Sequence, residues 1–200
     1  HRLHRLETPA HYSVMYDRNP DEWGKSPWVG GTDFYQTFVA VSPHVTRLAV
    51  KLADKSGAHQ HLTLNYAVHE TNDGPPSKWK QISPVRSRKL GGGVDPIIHI
   101  FHVRYRSDEV RLEVGKTYAA RFWRDVDSGS ERFAIVARED KGDGYRGGHL
   151  YQGDTPLPDQ DAYAYVSGGA AGTIVNHAPV GDLDLKTFAG GGNRFGQTFK

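Results

Sequence analysis

Along most of this chain apolar and polar side chains alternate with a period of two, which fits a pleated strand and not a helix. Phe34, Gln36 and Phe38 fall on one face of the run 34–41. The runs 45–52, 61–68, 97–105, 110–114, 117–123, 132–138, 149–151 and 162–166 repeat the pattern. Within 61–68, Leu62, Leu64 and Val68 take one face, with Tyr66 or Ala67 completing it. Each run is short, β-branched or aromatic, and bounded by Gly, Pro, Asn or Asp, which is the strand-and-turn signature. No segment of ten or more residues carries a helical apolar stripe. About ten strands of this kind predict an all-β, antiparallel β-sandwich, with a jelly roll as the expected form.

Two hundred residues are enough for one sandwich and one core. Twenty-three glycines and eleven prolines make the chain rich in turns. No apolar run approaches the ~20 residues a spanning helix needs, so a membrane is not an expected partner. A net charge of +2 leaves no strongly basic face of the kind that nucleic acid requires, and no nucleic-acid partner is expected. The densest basic run, Val85 to Lys89, reads as a solvated loop. With no cysteine, the chain has no disulfide frame, thiolate nucleophile or Cys-ligated zinc. The opening His-Arg-Leu-His-Arg-Leu has neither Met nor an apolar signal core, and reads as the start of a processed or recombinant piece.

The first thirty residues lack alternation but hold Tyr12, Val14, Met15, Tyr16, Trp23 and Trp28. They are expected to form an N-terminal arm (1–30) that wraps the sandwich (31–166). Residues 167–200 read as a linker and the first strand of a second copy. The stretch from Lys186 to Lys200 aligns without gaps on Lys25 to Val39, sharing Lys, Gly-Gly, Phe and Gln-Thr-Phe. A repeat at domain-sized spacing points to tandem domains, hence to neighbouring domains as partners. The terminal strand, Arg194 to Phe199, is expected to add to a sheet, because its apolar edge would otherwise be exposed.

Tyr35-Gln-Thr-Phe38, Asp73-Gly-Pro-Pro76, Val114-Gly-Lys-Thr-Tyr118, Tyr145-Arg-Gly-Gly148 and Asp161-Ala-Tyr-Ala-Tyr165 follow one another over about 33–166. In this order they resemble bacterial secreted β-sandwich modules, jelly rolls similar to carbohydrate-binding modules. In that group a Gly-Gln-Thr-Phe strand opens the domain and an Asp-plus-alternating-aromatic strand closes it. This chain departs from the pattern in having Tyr35 in place of Gly, a more charged middle and the extra arm. The resemblance implies a domain appended to exported carbohydrate-active or surface proteins, and a secreted or cell-surface location. Read physically, Gly115 suits the turn before a strand, and Gly147 and Gly148 suit a turn with positive φ.

Sugar binding by such a fold needs flat aromatic surface beside groups that read hydroxyls, most readily on loops. Trp79 in the Pro-Pro-Ser-Lys-Trp loop, and Tyr145 and Tyr151 around the Gly-Gly turn, supply rings. Arg146 and His149, with Asp143 and Gln152, supply hydrogen bonds. Trp79 capping the sandwich, and Tyr145 packing under its own loop, are the bland readings of the same residues. Phe122 and Trp123 are adjacent, so one faces the core and the other faces out.

Asp125, Asp127 and Glu131 place oxygens at alternate positions around Gly129, like the start of a calcium loop. Calcium is the one candidate ion; no other cofactor is expected. No HExxH is present, and no three histidines have ligand spacing. His99 and His102, three apart, fall on opposite faces of a strand. No Gly-x-Ser-x-Gly elbow and no carboxylate pair of defined spacing is present. The sharpest catalytic set is Gln60, His61, His99, His102, Arg104 and Tyr105, a lyase-like surface on one sheet. The leading expectation is a non-catalytic accessory module of a secreted multidomain protein, binding polysaccharide. The alternatives are a glycan-cleaving lyase or hydrolase on a jelly-roll sheet, and a structural spacer with no ligand.

Overall fold

The computed structural model describes residues 10–13, 28–53, 63–89, 99–124, 133–139, 145 and 147–168. In chain order the strands are β1 (Ala10–Ser13), β2 (Trp28–Gly31), β3 (Asp33–Val39), β4 (Arg47–Ala53), β5 (Thr63–Glu70), β6 (Lys80–Gln81) and β7 (Arg86–Lys89). They continue as β8 (His99–Arg104), β9 (Thr117–Arg124), β10 (Phe133–Glu139), β11 (Leu150–Gln152), β12 (Thr155–Leu157), β13 (Gln160–Ala162) and β14 (Ala164–Ser167). A 3₁₀ turn, Pro76–Lys78, begins at the last residue of the Asp73-Gly-Pro-Pro stretch.

The strands form two seven-stranded sheets, and every recorded pairing between strands is antiparallel. The first runs β1-β14-β4-β10-β13, with β2 on β10 and β8 on β4. The second runs β12-β11-β3-β9-β5-β6, with β7 on β5. The protein is therefore an all-β antiparallel sandwich.

Alternation sets the core. Phe34, Phe38, Tyr118, Phe122, Leu64, Tyr66 and Val68 point inward from the second sheet and are buried. Leu48, Val50, Leu52, Val103, Ile135 and Val166 meet them from the first. Each large side chain buried this way contributes about 1.5–3 kcal/mol. Tyr66, not Ala67, takes the inward position beside Leu64 and Val68, and Ala67 falls on the opposite face of β5.

Not every buried residue between the sheets is apolar. Gln36 is fully buried, and its amide is closed on three sides. Its Nε2 donates to Asp161 Oδ1 at 2.8 Å and to the Thr37 carbonyl at 3.2 Å, and its Oε1 accepts the Ala162 N–H at 2.8 Å. Asp161 Oδ2 also accepts the Tyr145 N–H at 3.0 Å. The Gln-Thr-Phe strand is thus stapled across the core to β13. A buried polar group needs such partners, because leaving one unmet costs roughly 1–3 kcal/mol.

Several elements differ from the sequence expectations. Ala10–Ser13 pairs with β14 and Trp28–Gly31 with β10, so these parts of the expected arm are strands of the first sheet. Residues 110–114 form no strand: Arg111 makes one bridge to His44, while Val110 and Leu112 fill the core edge. Arg86–Lys89, expected as a loop, pairs with β5. Gly115 has the positive φ (89°) its turn requires, but Gly148 does not. Gly148 is instead squeezed against the Thr37 carbonyl oxygen, which an added Cβ would meet at 2.0 Å. The aligned repeat over 186–200 lies outside the described residues.

Candidate functional site

The outward face of the second sheet carries a row of side chains that alternation keeps out of the core. Asp33 and Tyr35 come from β3, Arg121 and Trp123 from β9, and His69 from β5. Cross-strand register places Tyr35 opposite Arg121, and Asp33 opposite Trp123. Tyr151 of β11 sits opposite Tyr35 on the other side.

The segment after β5 folds back over this row. Gly74 N–H donates to Asn72 Oδ1 at 2.8 Å, and the Asn72 amide reaches the Lys78 carbonyl at 3.3 Å. The two carbonyls of Asn72 and Gly74 accept the Trp79 indole N–H at 3.2 and 2.9 Å. The loop is therefore wound around the indole, and Trp79 is only 7% exposed. Its ring meets Tyr35 edge-on at 5.6 Å and Tyr151 edge-on at 5.3 Å. These three rings and Ala119 form a small apolar cluster separate from the main core.

Opposite the loop stands the β11–β12 turn, with Gly153 at φ 56°. Asp154 clasps the two walls together: it accepts the Ser77 N–H and the Ser77 hydroxyl, each at 2.7 Å. These bonds hold the Asp154 carboxyl below its usual range. Between the walls lies a concavity of about 420 Å³ lined by Asp33, Tyr35, His69, Trp79, Gln81 and Arg121, with Ser77, Gly153 and Asp154.

Its electrostatics are fixed by one ion pair. Arg121 donates two bonds to Asp33, at 2.9 and 2.8 Å. Its guanidinium also lies 5.1 Å from the Tyr35 ring and 4.4 Å from the Trp123 ring. Burial opposes the Arg121 charge, and the Asp33 carboxylate more than compensates, so its pKa is raised. Burial, with the neighbouring Asp33 charge, pushes the Tyr35 phenol up to about 12. At neutral pH the phenol therefore keeps its proton.

His69 is 4% exposed, and burial lowers its pKa, which favours the neutral ring. Its Nδ1 lies 3.3 Å from the Trp79 carbonyl, which can only accept, so Nδ1 carries the hydrogen. Nε2 is then an acceptor, and it is buried with no hydrogen-bond partner.

Of the residues expected to bind ligand, the structure brings Trp79 and Tyr151 together beside this concavity. Tyr145 is elsewhere. Its hydroxyl donates to the His11 carbonyl at 3.0 Å and accepts the Val39 N–H at 2.9 Å, and its ring packs edge-on to Tyr12. His149 is exposed, and its backbone is tied to Thr37 through both N–H and carbonyl. Gln152 donates to the Gly30 carbonyl at 2.8 Å. Arg146, Asp143 and the calcium candidates Asp125, Asp127 and Glu131 lie outside the described residues. Among the described residues no group of three or more His, Asp or Glu is placed to hold a metal ion.

The lyase-like set does not assemble as one surface. Tyr105 is in the core, its hydroxyl donating to the Tyr66 carbonyl, whereas Arg104 and His102 face outward from β8. Gln60 and His61 lie outside the described residues. Asp33, Tyr35, His69 and Arg121 were missed because they sit inside strands. Strand parity could have found them: with Phe34, Phe122 and Val68 inward, their odd-numbered neighbours must face out. No protein-family model, curated protein or solved structure matches this chain.

Proposed function

We propose that this protein is a non-catalytic accessory module of a secreted multidomain protein, and that its outer-face concavity binds a polysaccharide. One observation carries the reading. The half-buried Tyr151 ring, backed by the buried Tyr35 and Trp79, stands beside a pre-set Asp33–Arg121 pair, with Gln81, Ser77 and Asp154 at an exposed rim. Ring surface suits the C–H face of a sugar, and fixed donors and acceptors suit its hydroxyls. The volume falls within the roughly 300–1,000 Å³ of ordinary small-ligand sites. A jelly-roll winding of the strands belongs to the same reading.

The test is retention of the protein on a panel of immobilised glycans, with Gln81→Ala and Tyr151→Ala beside the parent. Gln81 lies on the rim, so its loss leaves the core intact. Each substitution is expected to weaken binding about fivefold to tenfold, the size of one net hydrogen bond or ring contact. A panel in which no glycan is retained, or in which both variants bind as the parent does, would remove the proposal.

A glycan-cleaving enzyme is the second reading, favoured by the neutral His69 with its free Nε2 in the same concavity as Tyr35 and Arg121. New chain ends appearing on long incubation, and lost in His69→Ala, would select it.

A further inference from the structure

The concavity on the second sheet does not stand alone. A second hollow of about 310 Å³ is lined by Gly31, Thr32, Asp33, Gln152 and Gly153, and it shares Asp33 and Gly153 with the first. Chain order along β3 gives the direction. Tyr35 lines the first hollow, Asp33 lies between the two, and Thr32 and Gly31 line the second. At ~3.3 Å per residue, the four steps from Tyr35 to Gly31 span up to about 13 Å, longer than one sugar ring. Ser77 and Asp154 line the first hollow and not the second, so the clasp between the walls does not separate them.

The polar groups of the second hollow are held in place from behind. Gln152 Nε2 donates to the Gly30 carbonyl at 2.8 Å, which fixes the amide and leaves its Oε1 to accept. A side chain at Gly31 would displace that amide, since an added Cβ would meet Gln152 Nε2 at 2.9 Å. The Thr32 carbonyl accepts the Arg124 N–H at 3.1 Å, so its backbone is pinned while its exposed hydroxyl can donate and accept. The Gly153 N–H donates to the Asp33 carbonyl at 2.9 Å and ties strand to turn where the hollows meet. Asp33 is half-buried, and each carboxylate oxygen keeps a lone pair beyond its bond to Arg121, so it can accept a hydroxyl from either side. Among the described lining residues Asp33 and Asp154 are the carboxylates and Arg121 is the cation. Arg121 is already committed to Asp33, so the balance disfavours an acidic chain.

We propose that the two hollows are adjoining subsites for one uncharged glycan chain, which lies along β3 with Asp33 between two of its sugar units. This rests on the polysaccharide reading of the first concavity and adds to it the length and the charge of the ligand. Rings stand beside the first hollow and none lines the second. One unit is therefore held by ring contact and hydrogen bonds, and the next by hydrogen bonds from Thr32, Gln152 and Asp33 alone.

NMR titration of the full chain with oligosaccharides of one to six units tests the assignment, using series cut from cellulose, xylan, mannan and amylose, with galacturonate oligomers as the charged comparison. In a series that binds, affinity should rise at least about fivefold from one unit to four, and four units should move the amide signals of Gln81 and Thr32 together. Thr32→Ala should weaken four units about threefold to tenfold, the size of one net hydrogen bond, and leave a single unit unchanged. Thr32→Gln, which puts a longer side chain at the second hollow, should abolish the gain with length. Both variants should melt as the parent does, because position 32 is exposed. Affinity that does not depend on length, a Thr32→Gln protein that keeps the gain, or tighter binding of galacturonate oligomers would overturn this inference and leave the first concavity as a glycan site. Binding of no oligomer at all would remove both.

Discussion

Gly148 shows how a short motif can be structural where it looks functional. Tyr145, Gly148, Gln36, Thr37 and Asp161 come from three of the recurring motifs, and the fold brings them together. Thr37 Oγ1 accepts the His149 N–H at 2.7 Å, and the Thr37 N–H donates to the His149 carbonyl at 3.0 Å. The chain can approach that closely only because position 148 has no side chain. Gly148→Ala is expected to cost about 1–3 kcal/mol, the range for overpacking a tight site, in a urea or guanidinium unfolding curve. An unchanged midpoint would show that the turn moves aside easily. The sequence did place these residues in a turn and two strands. It did not reveal that their polar atoms close on one another, because Gln36 and Asp161, like Thr37 and His149, are more than a hundred residues apart in chain order and meet only in the folded sandwich.

At the level of elements, two attachments decide how the sandwich is finished. The first is β1. His11 lies in it at 2% exposure, accepting the Val41 N–H on Nδ1 at 2.9 Å while Nε2 donates to the His44 carbonyl at 2.7 Å. Both bonds together require a neutral ring, so the imidazole works as a latch for the strand. The second is the loop 71–79 with its 3₁₀ turn, held to the β11–β12 turn by Ser77 and Asp154. Asp154→Ala removes every acceptor from that clasp. Limited trypsin digestion should then cut faster after the exposed Lys78 and Lys80, and the Trp79 emission should shift toward the solvated value. A digestion pattern identical to the parent would mean that the indole alone holds the loop. Neither attachment was visible as a pattern. Ala10–Ser13 and Lys80–Gln81 are too short for alternation to register, and their pairing is set by neighbours that are distant in sequence.

At the scale of the whole molecule, the shifted histidines and carboxylates among the described residues all respond to acidification in one direction. Burial is the leading cause that lowers the pKa of His11, His69 and His102 below the ordinary value near 6.5. The unfolded chain therefore binds protons at these sites at a higher pH than the folded one. Their neutral state favours the fold above about pH 6.5, and that contribution is lost as pH falls below it. Glu70, Glu109 and Asp154 are also lowered, by hydrogen bonds from Lys116, from the Arg106 N–H and Arg86, and from Ser77. Their contribution is lost later, as pH falls through the carboxylate range. Melting temperature should thus fall on acidification in two stages, the first near neutrality. His11→Gln should flatten the first stage, and a first stage of full size in that variant would show that the latch does not titrate.

Alternation by itself determined that this chain is β-rich and antiparallel, and largely which face of each long strand is greasy. Those properties are local, since side chains two apart share a face whatever the strand pairs with. Tertiary structure decided which outward residues meet. Asp33, His69, Trp79 and Arg121 become one concavity only when β3, β5 and β9 lie side by side in register. Register depends on packing and hydrogen bonding between strands remote in sequence, so no reading along the chain contains it.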